Sequence, residues 1–138
     1  MLAGQTMDEV GSDTFDGDLL GADPRASFET IVERSCAAAG AVRDLDHVAH
    51  LSFGDHSIRE YLWQIHLFRG VRAYEIARII GYDTSLPPEL VQGLWDEVRP
   101  NAEEWRSIGV FSAAVGVPDD APLMDRLLGL TGRDPSAG

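Results

Sequence analysis

Four histidines lie close together in the sequence, at His47, His50, His56 and His66. Imidazole is the commonest protein ligand for a transition metal, and a site forms where several such donors converge. None of these histidines stands four residues from another, as a ligand pair on one helix face does. His47 and His50 point to opposite faces if their segment is extended. The spacing therefore favours solvated or capping histidines, and a metal site built from the four is the less favoured alternative.

Two arginines interrupt the apolar pattern of the segment HLFRGVRAYEIARIIG. Arg72 is in line with Phe68 and Ile76 on one helical stripe, and Arg69 lies at the edge of that stripe, from which a long side chain can reach solvent. Arginine is rarely buried without a partner. We therefore predict a buried ion pair for Arg72, with anion binding in a pocket as the alternative. The candidates for such a pocket are Arg72, Arg69, Phe68 and His66.

The sequence contains none of the short motifs that mark common catalytic sites. It has no phosphate-binding glycine loop, no dinucleotide fingerprint, no H-E-x-x-H and no G-x-S-x-G. It has no lysine, and no serine or cysteine stands beside a base that the sequence can place. We therefore predict no catalytic residue.

The composition narrows the classes of function. The chain has 138 residues and a formal net charge of −12, which argues against binding to nucleic acid or to an anionic membrane. Hydrophobic residues make up 44% of it, enough for a folded core. A single cysteine, Cys36, excludes an internal disulfide, and neither a signal peptide nor a membrane-spanning run is recognisable. We expect a cytoplasmic protein.

The apolar periodicity predicts an all-α fold with one short β-like element. We predict a flexible segment over residues 1–20, a helical domain over 21–135 and a tail over 136–138. The alternating segment DHVAHLSFGDHS predicts an extended segment or hairpin arm.

Several polar residues and one proline mark the ends of the predicted helices. Asp23 is a predicted N-cap, Ser57 with Glu60 forms a capping-box pattern, and Asp120 is a predicted cap for the last helix. Pro100 removes a backbone donor, so it is expected to kink or split the helix that contains it.

The predicted helices carry apolar stripes at helical spacing. The stripe of the first long helix is Phe28, Ile31, Val32 and Ser35. The helix after Ser57 has one stripe made of Ile58, Leu62, Ile65, Phe68, Arg72, Ile76 and Ile79, and a second made of Trp63, Leu67, Val71, Tyr74 and Arg78. A helix that is apolar on more than one face is typical of the middle of a bundle, so we predict burial of both stripes.

Three runs carry a family resemblance: YLWQIHLFRGVRAYEIARIIG, LPPELVQGLWDEVRP and VGVPDDAPLMDRLLGLTGRDP. They resemble the actinobacterial DinB-like proteins and, within that superfamily, the metal-binding group related to mycothiol-dependent maleylpyruvate isomerase. The resemblance covers Leu19 to Pro135, and LLGLTGRDP and VPDDAP are its most specific pieces. It implies a four-helix bundle, a cytoplasmic setting and a divalent metal, zinc or nickel, held by histidines. In the thiol-dependent members that metal activates a low-molecular-weight thiol.

The sequence departs from this family pattern at the expected metal ligands. The family has an aspartate or similar residue and a histidine one helical turn apart, just before a W-D-L-A-R run. YEIAR stands in place of that run here, so the ligand positions fall on Phe68 and Arg72. Phenylalanine cannot bind a metal, and arginine stays protonated. The family takes a further histidine from a helix that precedes the start of this chain, and MLAG resembles the end of that helix.

The resemblance and its departures together predict a degenerate member of the group. We expect a non-catalytic helical ligand-binding or interaction module without metal or cofactor, in which Arg72 supplies positive charge and can hold a small anion. The alternative is a divalent-metal, mycothiol-dependent transferase or isomerase. Apolar faces that absent helices would cover predict a homo-oligomer, or a partner chain that supplies those helices.

Overall fold

The computed structural model describes residues 6–11 and 16–136. Over these residues the chain is mostly helical with one small antiparallel sheet, which confirms the coarse fold prediction. The helices are α1 (Met7–Val10), α2 (Pro24–Ala41), α3 (Ile58–Ile79), α4 (Pro88–Ser107) and α5 (Leu123–Leu130), and the strands are β1 (Val48–Leu51) and β2 (Gly54–Ser57). The predicted helix end at MLAG lies outside the described residues.

The chain divides into two compact units, Met1–Leu62 and Trp63–Gly138. The boundary falls within α3, so the first turn of this helix belongs to the first unit and the rest belongs to the second. The single helical domain predicted over 21–135 stays a prediction, as does its DinB-like topology.

The predicted start of α2 is confirmed. The Asp23 carboxylate accepts a hydrogen bond from the backbone N–H of Ala26 at 3.0 Å, and Pro24 occupies the first helical position. A proline fits there because its missing N–H would have no helical partner anyway. The helix ends at Ala41, and none of its residues is buried.

The β-hairpin that follows α2 confirms the predicted hairpin arm. β1 and β2 pair antiparallel with Val48 opposite Ser57 and His50 opposite Asp55. Gly54 adopts a φ of 127°, which side chains other than glycine rarely tolerate, so it suits the turn. Ala49 and Ile58 are the buried apolar residues of this first unit within its described part.

The predicted capping box at the start of α3 is also confirmed. The Glu60 carboxylate accepts hydrogen bonds from the backbone N–H and the hydroxyl of Ser57, both at 2.9 Å, and the Glu60 N–H donates back to that hydroxyl at 3.2 Å. The same reciprocal pattern forms in front of α1, where Thr6 and Glu9 cap each other at 2.8 and 3.2 Å. No helix start was predicted within residues 1–20, although Thr-x-x-Glu is a recognised sequence signal for a helix start.

The core of the second unit lies among α3, α4 and α5. Its buried members are Leu67, Val71, Leu94, Val98, Phe111, Leu127 and Leu128, with Trp63, Trp95 and Trp105 packed at the edge. Fully burying one such aliphatic side chain contributes about 1.5–3 kcal/mol. This cluster is therefore the main source of stability in the unit.

Only one of the two predicted stripes of α3 is buried within the second unit. Leu67 and Val71, on the second stripe, are 2% exposed, whereas Phe68, Ile76 and Ile79, on the first stripe, are exposed. The prediction that both stripes are buried was therefore wrong, because α4 and α5 form their shared core with the second stripe alone.

α4 runs as one helix from Pro88 to Ser107, so Pro100 does not split it, and the kink expected there stays a prediction. The cap predicted at Asp120 was wrong. α5 begins after Pro122 without a side-chain cap, and Asp120 precedes it in a turn that the Ala121 N–H closes onto the Pro118 carbonyl at 3.1 Å.

The link between α4 and α5 packs closely against α5. The Val115 N–H donates to the Gly129 carbonyl at 2.9 Å. A Cβ at Gly129 would lie 2.7 Å from the Val115 carbonyl oxygen, so glycine is the residue that permits this approach. Arg106 reinforces the link by donating to the carbonyls of Ser112 and Leu130 at 3.2 and 3.0 Å.

Candidate interaction surfaces

Arg72, the leading candidate from sequence, lies on the surface. Its side chain is 71% exposed, and its Nη1 atom lies 3.3 Å from Oε2 of Glu75 on the same helix. The predicted burial of Arg72 was therefore wrong, because the stripe that carries it is the uncovered one. Arg69 is exposed on the same side of α3. Anion binding by these two arginines stays a prediction.

Glu75 is the centre of an ion-pair network that the sequence did not indicate. Its Oε1 atom accepts from Nε of Arg133 at 2.7 Å, while Arg72 approaches its Oε2 atom. Arg133 also donates to the Thr131 hydroxyl at 3.1 Å. The guanidinium that pairs with α3 across the fold is thus Arg133, 58 positions away from Glu75. No local pattern could have revealed a pair so distant in sequence.

The other two pocket candidates contact aromatic rings. Phe68 stacks on Trp105 with ring centroids 6.4 Å apart and an interplanar angle of 9°. His66 meets Trp63 edge to face at 6.3 Å. Phe68 is half-exposed and His66 is exposed, so each presents one side to solvent.

Two hollows lie along α4, and neither includes a pocket candidate from the sequence. One, of about 340 Å³, is lined by Asp96, Arg99 and Pro100. The other, of about 610 Å³, is lined by Trp63, Pro88, Glu89, Gln92, Gly93 and Asp96. Both are shallow and open to solvent. Ligand pockets generally enclose most of the ligand surface, which these hollows do not.

The hairpin histidines pair with carboxylates rather than with each other. Nδ1 of His50 lies 2.8 Å from Oδ1 of Asp55, its cross-strand neighbour. Nδ1 of His56 lies 3.8 Å from Oε2 of Glu60. His50 and His56 point to opposite faces, because His56 stands opposite Ala49 in the ladder. Within residues 6–11 and 16–136, no three histidine, cysteine or carboxylate side chains are placed to hold a metal ion.

The carboxylate of Glu60 shows the electrostatic effect of its cap. The Ser57 backbone N–H, and then the Ser57 hydroxyl, hold the pKa of Glu60 below its ordinary value of 4.5. Hydrogen bonds to the charged form stabilise that form. The effect is that of a helix cap and indicates no catalytic acid.

α2, in the first unit, presents a face whose bulky apolar residues are exposed. Phe28 is 64% exposed and Ile31 is 54% exposed, and Val32 lies beside them at helical spacing. Arg25 and Glu29 pair along one flank of this face at 2.9 Å. The sequence predicted this stripe from its helical spacing. We name Phe28, Ile31, Val32, Ser35, Ala38 and Ala39 the α2 face.

α3 presents a second such face, within the second unit. Phe68, Ile76 and Ile79 are all exposed, Ile79 by 83%, and Ile80 continues the surface beyond the helix end. Arg69 and Arg72 lie among these apolar residues. We name Phe68, Arg69, Arg72, Ile76, Ile79 and Ile80 the α3 face. Contiguous apolar surface of this kind is typical of sites that bind another macromolecule.

No protein-family model, curated protein or solved structure matches the chain. The resemblance to the DinB-like superfamily therefore stays a prediction that depends on the quoted runs alone. In the part of the chain that the structure describes, no helix is both long and apolar enough to cross a bilayer.

Proposed function

We propose that the chain is a non-catalytic helical module that binds other protein chains through the α2 face and the α3 face. One observation carries the proposal: α2 has 18 residues and an apolar stripe, yet no buried residue. In proteins most of the stability of a helix comes from packing of its apolar side rather than from the helix propensity of its residues. A partner on that side would supply this packing.

The exposed apolar side chains of these two faces contribute little to the stability of the chain itself. Burial of apolar surface gives about 25 cal/mol per Å², and an exposed isoleucine gains little of it. Phe28, Ile31, Ile76 and Ile79 all keep at least half of their surface exposed. Binding to a second chain would bury this surface and gain the corresponding hydrophobic free energy.

The metal centre implied by the family resemblance does not fit the residues present. Its expected ligand positions carry Phe68, which has no donor atom, and Arg72, whose guanidinium is cationic at any physiological pH. Arg72 already faces a carboxylate of its own helix. A divalent-metal, mycothiol-dependent transferase or isomerase would need ligands that these positions do not provide, so we propose the binding module.

Denaturation of matched variants tests the proposal. Isoleucine, valine and serine have similar helix propensities, so replacement by serine isolates the contribution of burial. Ile31→Ser and Ile76→Ser are expected to change the free energy of unfolding by less than about 0.5 kcal/mol, as surface substitutions do. Val71→Ser, on the buried face of α3, is the control and is expected to cost several times more. A loss of about 2 kcal/mol or more in either isoleucine variant would show that the chain itself buries these faces.

A further inference from the structure

We propose that the partner of the α2 face is α2 of a second copy of this chain, packed antiparallel to the first. The inference deepens the proposed function and rests on it. Three features of α2 favour a second copy over an unrelated chain as its partner.

The first feature is the taper of the α2 face. At 3.6 residues per turn its members share one side of the helix, with the bulky residues in the first half and the small ones in the second. Phe28, Ile31 and Val32 are followed by Ser35 and the alanines 38 and 39. An antiparallel partner lays bulky residues on small ones at both ends, which fills space evenly. A parallel partner would oppose bulky residues at one end and leave a gap at the other.

The second feature is electrostatic. The chain carries a net charge of −12, which opposes the approach of two copies. α2 is an exception, since its four charged residues, Arg25, Glu29, Glu33 and Arg34, sum to zero. Antiparallel pairing also places the positive end of each helix dipole beside the negative end of the other. Association at α2 therefore avoids the repulsion that the rest of the chain would create.

The third feature is the size of the α2 face, which limits the expected affinity of the dimer. An 18-residue helix is about 27 Å long at 1.5 Å per residue. A single helix pair of that length buries an area at the low end of specific interfaces, below about 1,200 Å² in total. We therefore infer a reversible dimer that forms with rising concentration rather than a permanent one.

A disulfide experiment on the full chain tests the antiparallel register. In an antiparallel register that places Ile31 opposite Ala38 of the second copy, Phe28 lies about 3 Å along the axis from Ala39, still against the small-residue half of that helix. With Cys36→Ser as the background, the double variant Ile31→Cys/Ala38→Cys should form two symmetric cross-links in a glutathione redox buffer. The two introduced sulfurs of one chain stand seven residues apart on the helix, about 10 Å, so they cannot reach each other. The expected product is a covalent dimer as the major species.

Matched controls separate this geometry from random collision. Thr30→Cys/Ala37→Cys has the same spacing on the opposite side of the helix and should remain mostly monomeric. The single variants Ile31→Cys and Ala38→Cys should also remain monomeric. A dimer from Ile31→Cys alone, as abundant as that from the double variant, would indicate parallel packing and overturn the proposal. Equal cross-linking of the Thr30/Ala37 control would overturn it as well.

Sedimentation equilibrium of the unmodified chain completes the test. The wild type should show a monomer–dimer equilibrium, and Ile31→Ser should weaken it about tenfold or more, because the substitution removes apolar contact twice in a symmetric dimer. Thr30→Ser should leave it unchanged. A wild type that stays monomeric at millimolar concentration would overturn self-pairing, whereas unchanged stability of Ile31→Ser would still support binding to a different chain. A large stability loss in Ile31→Ser would instead overturn the proposed function itself.

Discussion

α2 and α4 are similar helices with opposite surroundings. They have 18 and 20 residues, and each carries a proline in its first turn and an apolar stripe. α4 buries Val91, Leu94, Val98 and Ala102, whereas α2 buries nothing. The difference lies in the neighbours: α5 and α3 contribute Leu127, Leu128, Leu67 and Val71 to the cluster that contains Leu94 and Val98. An amphipathic pattern thus shows which face of a helix is apolar, but not which chain covers it.

The two helices also differ in how their stripes are built. The stripe of α4 keeps bulky residues along much of its length, at Val91, Leu94 and Val98. The α2 face becomes small after Val32, at Ser35 and the two alanines. A small side chain has little apolar area, so leaving it exposed to water forgoes little burial free energy. The second half of α2 therefore tolerates exposure better than the first half. The bulky first half is where we expect a partner to gain most.

The largest effect on stability is expected at Leu94, in the core that α4 shares with α3 and α5. Its side chain is 0% exposed, so Leu94→Ala would leave a cavity in the core of the second unit. Such truncations cost about 2–5 kcal/mol. Urea denaturation monitored by tryptophan fluorescence would measure this loss of unfolding free energy. The much smaller loss expected for Ile31→Ser in α2 is the comparison. A loss of unfolding free energy below about 1 kcal/mol in Leu94→Ala would contradict the contrast between the buried stripe of α4 and the exposed stripe of α2.

A smaller effect is expected from the cap of α2. Asp23→Ala removes the acceptor of the Ala26 N–H and should destabilise the helix by about 1 kcal/mol. Because no α2 side chain is buried, the loss should be seen as lower helix content and faster amide exchange in α2. Circular dichroism and hydrogen exchange would report it, with Asp44→Ala as a control outside the helix. Unchanged α2 exchange rates would contradict the local role of the cap.

The smallest effect is the pH dependence of the cap of α3. A carboxyl group whose pKa is lowered by folding stabilises the folded state above its unfolded pKa, and this contribution is lost as the pH falls through the folded pKa. The Glu60 cap therefore contributes its full stabilisation of the folded state above about pH 4.5, and this stabilisation is lost as the pH falls further. NMR titration of the Glu60 carboxyl should show a lowered pKa that returns toward the ordinary value in Ser57→Ala. An unchanged pKa in that variant would show that Ser57 is not the cause.

Local signals predicted the helix starts well where donor and acceptor are adjacent in sequence. The Asp23 cap, the Ser57–Glu60 capping box and the hairpin at Gly54 all depend on atoms within a few residues of each other. The cap predicted at Asp120 was wrong: α5 begins after Pro122 without a side-chain cap, and Asp120 lies in the turn that the Ala121 N–H closes onto the Pro118 carbonyl.

The surfaces were less predictable than the elements. The apolar stripes of α2 and α3 are visible in the sequence, but periodicity alone assigns every such stripe to a core. The exposure of Phe28, Ile76 and Arg72 depends on which helix packs beside each face. The pair between Arg133 and Glu75 likewise arises from contact between residues 58 positions apart.

The sequence alone determined the helical content, the hairpin, the local caps and the strong negative charge, because these follow from nearest neighbours and composition. It also placed phenylalanine and arginine at the ligand positions implied by the family resemblance, since residue identity is independent of folding. Only the tertiary structure decided which stripe of α3 is buried, that Arg72 lies at the surface, and that Phe28 and Ile31 of α2 are exposed. Those outcomes depend on long-range packing, in which α4 and α5 cover one side of α3 and leave Ile76 and Ile79 exposed on the other.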